Sequence, residues 1–325
     1  MSKPSLLKSR VGFRPFDYPW AYEFWNKQHQ IHWLASEVML HEDIKDWAVK
    51  LTNSEKNLLT HIFRFFTHAD EEVLGCYHRI YSRIFKPIEI VMMLAAFSDT
   101  ETTHCDAYST IMETLGLPSV EYSLFMNYKE MKDKHDYMRT FNPESKHDIA
   151  LTMAAFGAFT EGLQLFSSFA ILLNFPRFNK MKGMGQIIAY SVRDESLHVE
   201  GILKLFHTFV DENPEVWTAA LMNELQTICK TMVDHEDKFI DLAFELGDIE
   251  GLSAEEMKRY IRYIADRRLI QLNLEPYYKV KYNPIPWLDK MMNGEEFVNF
   301  FEQKNTNYGK ATLTGSWEEA YAIHN

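Results

Sequence analysis

The sequence of 325 residues predicts an all-α helical bundle with additional helices and a flexible C-terminal tail. Apolar residues recur at helical spacing through several long stretches, while glycine is scarce at 13 residues and strand-type alternation is largely absent. Hydrophobic residues make up 46% of the chain and aromatic ones 14%, ample for one large core, and no Pro/Gly/Ser-rich linker divides it. Residues 1–300 therefore read as a single domain and 301–325 as a tail.

Helices are expected at 18–32, 54–84, 87–116, 119–132, 147–174, 183–210, 213–246, 253–272 and 285–291. Thr52-Asn-Ser54 and Ser253-Ala-Glu-Glu256 each supply a hydroxyl cap followed by acidic first-turn residues, which favour the positive end of a helix. Pro118 after Leu115-Gly116 and Pro176 after Leu173-Asn174 read as stops, and Asn213-Pro214 as an opening. Beyond about residue 300 the periodicity fades into Gln303-Lys-Asn-Thr-Asn-Tyr308-Gly-Lys, expected to be mobile.

The formal charge of −12, with no basic stripe, argues against nucleic acid as a partner. Cys76, Cys105 and Cys229 are odd in number and scattered within helical stretches, which indicates neither a disulfide framework nor a thiolate cage. The start, Met1-Ser-Lys-Pro-Ser-Leu-Leu, lacks the apolar core of a signal peptide, and no apolar run approaches the length of a membrane span. The expectation is a soluble cytoplasmic protein with no membrane partner.

Two short words carry the chemistry. Glu101-Thr-Thr-His104 and Glu195-Ser-Leu-His198 each place a carboxylate and an imidazole on one helix face. Roughly one Glu-x-x-His is expected by chance in such a chain, and a third copy, Glu144-Ser-Lys-His147, serves as the control. That copy follows Asn142-Pro143 in a polar connector. The other two sit in apolar helical stretches, where charged side chains need a compensating partner. A dinuclear site in a ferritin-like four-helix bundle takes Glu-x-x-His from two helices and one acid from each of two others. Glu161, among Ala154, Gly157, Ala158, Leu165 and Phe169, is one such acid. Asp70 is the other, because it alone of Asp70-Glu71-Glu72 falls on the stripe Leu59, Ile62, Phe66, Val73, Tyr77, Ile80.

Asp70, Glu101, Glu161 and Glu195 bring four negative charges, which two divalent cations neutralise, while His104 and His198 bind neutral. Oxygen and imidazole donors without thiolate favour iron or manganese over structural zinc. Asp194 is placed to accept the free ring N–H of a ligand histidine. Tyr108, four residues after His104, lies one helical turn from a ligand on the same face, where burial would shield an oxidised phenol.

These residues resemble a family. Asp70, Glu101-Thr-Thr-His104-Cys-Asp-Ala-Tyr108, Glu161 and Arg193-Asp-Glu195-Ser-Leu-His198 are similar to the metal and tyrosine motifs of the small, radical-generating subunit of class I ribonucleotide reductase. The similarity extends to Ile31-His-Trp33-Leu-Ala-Ser-Glu37-Val and to Asn299-Phe-Phe301-Glu-Gln-Lys-Asn-Thr-Asn-Tyr308. The resemblance implies a centre of two iron ions, with manganese as the alternative, that activates O₂ and generates a radical on Tyr108. It implies transfer of that oxidising equivalent through Trp33, Asp194 and Tyr308 to a separate large subunit that reduces ribonucleotides, with His104 the histidine bound to Asp194. It further implies a homodimer and docking through the tail that ends Trp317-Glu-Glu-Ala-Tyr-Ala-Ile-His-Asn325, where Tyr321 is a second candidate redox tyrosine.

Two positions depart from the family pattern, which has phenylalanine where this chain has Leu165 and isoleucine where it has Ser191. Ser191 is expected to bring a hydroxyl or water toward Tyr108. Two rival readings share the bundle: a dinuclear oxygenase or oxidase, marked by an elongated substrate pocket, and an iron store, marked by a shorter chain assembled into a cage.

Overall fold

The computed structural model describes residues 4–292, and among them no β-strand occurs beyond one isolated bridge between Ile249 and Leu252. Residues up to Ile285 form one compact unit. Helix Pro286–Met292 belongs to a second unit. Tyr308, Tyr321 and the expected tail 301–325 lie outside the described residues.

Helix α1 (Pro19–Gln30) opens the compact unit, followed by the short α2 (His41–Lys45) and a π-helical turn Asp46–Lys50. Helix α3 (Asn53–Gly75) starts at a capping box in which Thr52 and Glu55 satisfy each other's backbone N–H groups. It runs without interruption through a π-helical segment, Cys76–Tyr81, into α4 (Ser82–Ile84), as the periodicity predicts. Helix α5 (Ile88–Thr114) is the first of the Glu-x-x-His helices and packs along both α1 and α3.

The stretch expected as a helix over 119–132 is instead broken. It forms α6 (Glu121–Leu124), a 3-10 turn and α7 (Lys129–Met138), because Tyr128 is extended at φ −95° and ψ 121°. A longer correction follows. Helix α8 (Lys146–Met153), the π-helical Ala154–Gln164 and α9 (Leu165–Arg177) make one continuous rod that passes through Pro176. The Pro176 ring packs against Gly185, where an added Cβ would come within 2.3 Å of Pro176 Cγ, and the helix ends one residue later at Arg177. The turn comes after it, with Asn179 at φ 59° and Met181 at φ 51°. The same rod corrects the expectation that no apolar run reaches membrane length. By length and composition 146–177 passes that test, but its apolar window is wholly buried, as in a core helix.

Helix α10 (Lys182–Glu212) carries the second Glu-x-x-His word, and its first N–H groups are capped by distant carboxylates. Asp43 accepts from Gly183 at 3.0 Å and Met184 at 2.6 Å, and Asp46 accepts from Met181 at 2.9 Å. The helix expected from residue 213 starts later. Asn213-Pro214 leads into a 3-10 turn, and α11 (Ala219–Ala243) begins behind its cap Thr218. Helix α12 (Ala254–Gln271) follows a capping box of Ser253 and Glu256. The rod 146–177 packs against α10 and against the pair α11 and α12, while α3 and α5 close the bundle around a core of Phe66, Phe97, Phe159 and Phe169.

Candidate metal centre

Four helical stretches converge on one point inside this bundle. Asp70 comes from α3, Glu101 and His104 from α5, Glu161 from the π-helical segment of the rod, and Glu195 and His198 from α10. Glu161 is 1% exposed and the other five are fully buried. π-Helical turns widen the backbone and re-aim side chains, and they recur at functional sites. Here one such turn carries Glu161, seated where Gly157 lets Ile202 approach so closely that a Cβ would meet it at 2.4 Å.

The six form two overlapping groups. Asp70, Glu101, His104 and Glu195 offer ligand atoms all within 4.8 Å of one another, and so do Glu101, Glu161, Glu195 and His198. Glu101 and Glu195 belong to both, so each half-site has one carboxylate and one histidine of its own and shares two bridging candidates. His104 Nδ1 lies 3.2 Å from Glu101 and 3.1 Å from Glu195, and His198 Nδ1 lies 3.0 Å from Glu101, 3.4 Å from Glu161 and 3.5 Å from Glu195.

Donor chemistry and geometry fit divalent cations. Both oxygens of Asp70, both of Glu195, Glu101 Oε1 and both ring nitrogens of His198 are buried without a hydrogen bond. Buried lone pairs are costly when left unanswered, and here they face one another. The electrostatics agree. Burial, then Glu101, pushes Asp70 well above the usual carboxylate range, and burial raises Glu161 to about 8. Burial opposes protonation of His104 and His198, yet the surrounding carboxylates raise both well above the ordinary imidazole value. These four shifts all run toward proton binding, the direction expected where nothing else cancels the charge of the buried carboxylates.

Tyr108 sits beside the first half-site, 2% exposed, stacked on Phe66 at 4.4 Å and with its ring centroid 6.2 Å from that of His104. Burial, then the Asp70 charge, raises its phenol well above the ordinary value. Its oxygen makes no hydrogen bond of full geometry. The Ser191 hydroxyl lies beside it and donates to the Ile187 carbonyl at 3.2 Å.

On the outer side, Asp194 Oδ2 lies 3.4 Å from His104 Nε2 and accepts from Trp33 Nε1 at 2.7 Å. Burial works against the charge on Asp194, but His104, Arg193 and Trp33 hold it below the usual range. Trp33 is 4% exposed, and a cavity of about 240 Å³ opens beside it, lined by Gln28, His32, Asp99 and Thr100. Glu144 and His147 lie apart from this centre, with His147 paired to Glu224 at 3.1 Å on the surface.

Sequence reasoning missed Tyr77, whose hydroxyl donates to Glu161 Oε1 at 2.5 Å, and Tyr190, whose ring lies 5.2 Å from that of Trp33. Tyr77 had a signal, since it stands seven residues after Asp70 on the same stripe; only the partner helix shows that this stripe meets Glu161.

Comparison with known proteins identifies relatives of this chain. The family model for the ribonucleotide reductase small chain matches residues 10–284. The Invertebrate iridescent virus 6 protein named "probable ribonucleoside-diphosphate reductase small subunit 376L" is 41% identical, over 98% of this chain and 99% of its own. The ribonucleoside-diphosphate reductase subunit beta of Chlamydia pneumoniae is 30% identical, over 91% of this chain and 89% of its own. In structure, the ribonucleotide reductase R2 subunit from Clostridium botulinum superposes with a TM-score of 0.81 at 24% identity, covering 90% of this chain and 99% of that one. The all-α architecture is that of the ferritin-like bundle, and the chain belongs to the ribonucleotide reductase small-chain family.

Proposed function

We propose that this chain is the radical-generating small subunit of a ribonucleoside-diphosphate reductase, with its radical on Tyr108. The observation that carries the reading is the continuous arrangement of a buried tyrosine, a buried cluster of four carboxylates and two imidazoles, and an Asp194 link from His104 to Trp33.

Asp70, Glu101, Glu161, Glu195, His104 and His198 would hold two cations, with iron favoured and manganese the alternative on the same oxygen and nitrogen donors. When bound, such a pair supplies the one-electron oxidising power, drawn from O₂, that a phenol requires. The protein does the rest. Phe66 covers the Tyr108 ring and excludes water from it, so the phenol, once it has lost an electron and its proton, meets few reductants. Asp194 holds the Trp33 N–H and faces His104 Nε2, which fixes the ring orientation and offers a proton acceptor when Trp33 is oxidised. Trp33 then stands at the head of a route outward, for which Tyr308 is the proposed next station.

We further infer a homodimer that docks on a large catalytic subunit through its C-terminal segment, in the cytoplasm, where free Cys76, Cys105 and Cys229 remain reduced. Loading the metal-free protein with ferrous iron, admitting O₂ and recording electron paramagnetic resonance tests the central claim. A tyrosyl radical is expected, lost in Tyr108→Phe while the metals remain. A signal unchanged by the substitution refutes the assignment, and failure to support reduction with a cognate large subunit refutes the function. The oxygenase reading predicts turnover of a bound small molecule without Trp33; the storage reading predicts a cage rather than a dimer.

A further inference from the structure

Helix α3 and its π-helical extension meet the cluster twice, at Asp70 and seven residues later at Tyr77, and the two encounters differ in kind. Asp70 presents two buried oxygens that no protein group answers. Tyr77, 2% exposed, gives its hydroxyl hydrogen to Glu161 Oε1 at 2.5 Å. Glu161 belongs only to the second group of donors and Asp70 only to the first. The terminal carboxylate of one half-site is therefore free in both oxygens, while that of the other is held at one of them.

The phenol that does this is itself fixed. Its ring packs edge-on against Tyr81 and Phe97, each at 5.9 Å, and against the His198 ring at 5.9 Å. Phe97 in turn lies 4.4 Å from His198. Tyr77 lies on the π-helical segment Cys76–Tyr81 and Glu161 on the π-helical segment Ala154–Gln164, so donor and acceptor each stand on a widened turn. Tyr81 shares the burial but not the connection, since its hydroxyl reaches the Thr152 carbonyl at 3.3 Å.

We propose that Tyr77 is a positioning residue for the second half-site: by holding Oε1 it fixes the rotation of Glu161 and makes the two half-sites unequal in affinity and in carboxylate binding mode. A hydrogen bond to a ligating carboxylate orients it for the cation, and loss of such a bond typically costs about 10–100-fold in affinity. This inference rests on the metal-centre reading above, and it concerns one half of that centre.

Manganese(II) is the probe, followed by the electron paramagnetic resonance signal of the free ion during titration of the metal-free full-length chain. Wild type is expected to bind two ions per chain; binding of none refutes the metal-centre reading and this inference with it. Tyr77→Phe is expected to weaken one of the two by about tenfold or more and to leave the other unchanged. In an Asp70→Asn background, where the second half-site alone remains complete, the single tight constant should weaken by the same factor. Tyr81→Phe serves as the control and should change neither. Replacing Tyr77 with 4-aminophenylalanine, which keeps a donor at the same place, should restore the weakened constant, which a packing effect would not. Two full-affinity sites in a folded Tyr77→Phe protein overturn the inference and leave the metal centre standing. A phenolate-to-iron charge-transfer band in the iron-loaded wild type, absent from Tyr77→Phe, also overturns it, because Tyr77 would then be a ligand.

Discussion

Removing divalent metal should lower the thermal stability of this protein by an amount the two half-sites set. Each half-site forms only when three helical stretches are assembled, so its cation binds the native chain and stabilises it by mass action. At free metal one hundred times the dissociation constant, one site contributes about 2.7 kcal/mol and two contribute about 5.4 kcal/mol. With an unfolding entropy near 2.1 cal/mol/K per residue, the compact unit ending at Ile285 loses about 0.6 kcal/mol per degree around its midpoint. The melting midpoint should thus rise by about 9 °C on loading. Asp70→Asn, which leaves the second group of donors complete, should retain roughly half of that rise. The assay is scanning calorimetry of chelated and manganese-loaded protein under exclusion of O₂, with free metal held constant by a buffer. A midpoint that does not move, or that moves equally in wild type and in a variant lacking both Glu101 and Glu195 carboxylates, refutes the claim that these lone pairs are ligands.

Further outcomes follow from particular contacts. Asp194→Asn should keep the metals and the Tyr108 radical yet cut turnover with the large subunit about 10-fold or more, because the 2.7 Å acceptor for Trp33 is weakened; unchanged turnover with normal radical content removes Asp194 from the route. Ser191→Ala removes the hydroxyl beside Tyr108 and should lengthen the radical's lifetime, measured as decay of its resonance signal; identical decay rates count against the contact. Gly185→Ala forces a Cβ to within 2.3 Å of Pro176 and should cost about 1–3 kcal/mol in urea unfolding. His61, held below its ordinary value first by burial, sits with Nδ1 3.2 Å from Arg64 and Nε2 3.1 Å from Glu245. The unfolded chain therefore takes up this proton first, so stability is full above about pH 6.5 and falls as pH drops toward the folded value. His61→Gln should flatten that acid-side loss, and an unaltered pH profile would refute it.

Much of this molecule is legible locally. The spacing of three between Glu101 and His104, and between Glu195 and His198, puts each pair on one face of any helix, whatever that helix packs against. Asp70 and Glu161 stand out for a related reason: a carboxylate on an apolar stripe is expensive unless something answers it. Helix ends were less legible. Pro176 reads as a stop, but Gly185 on another helix makes room for its ring, and Tyr128 breaks a stretch whose pattern looks continuous. Tyr77 reads as core on its stripe, and Trp33 without the resemblance is one of seven tryptophans.

By itself, the sequence determined the candidate ligand types, their pairing within helices, the all-α class and the place of Tyr108 one turn from His104, because all of these depend on the pitch of a single helix. Only the tertiary structure decided which carboxylates stand between two half-sites, that Asp194 joins His104 to Trp33, and that Tyr77 holds Glu161. Those relations depend on how far one helix slides and turns against another. That register is set by the packing of whole faces and leaves no periodic trace in any one segment.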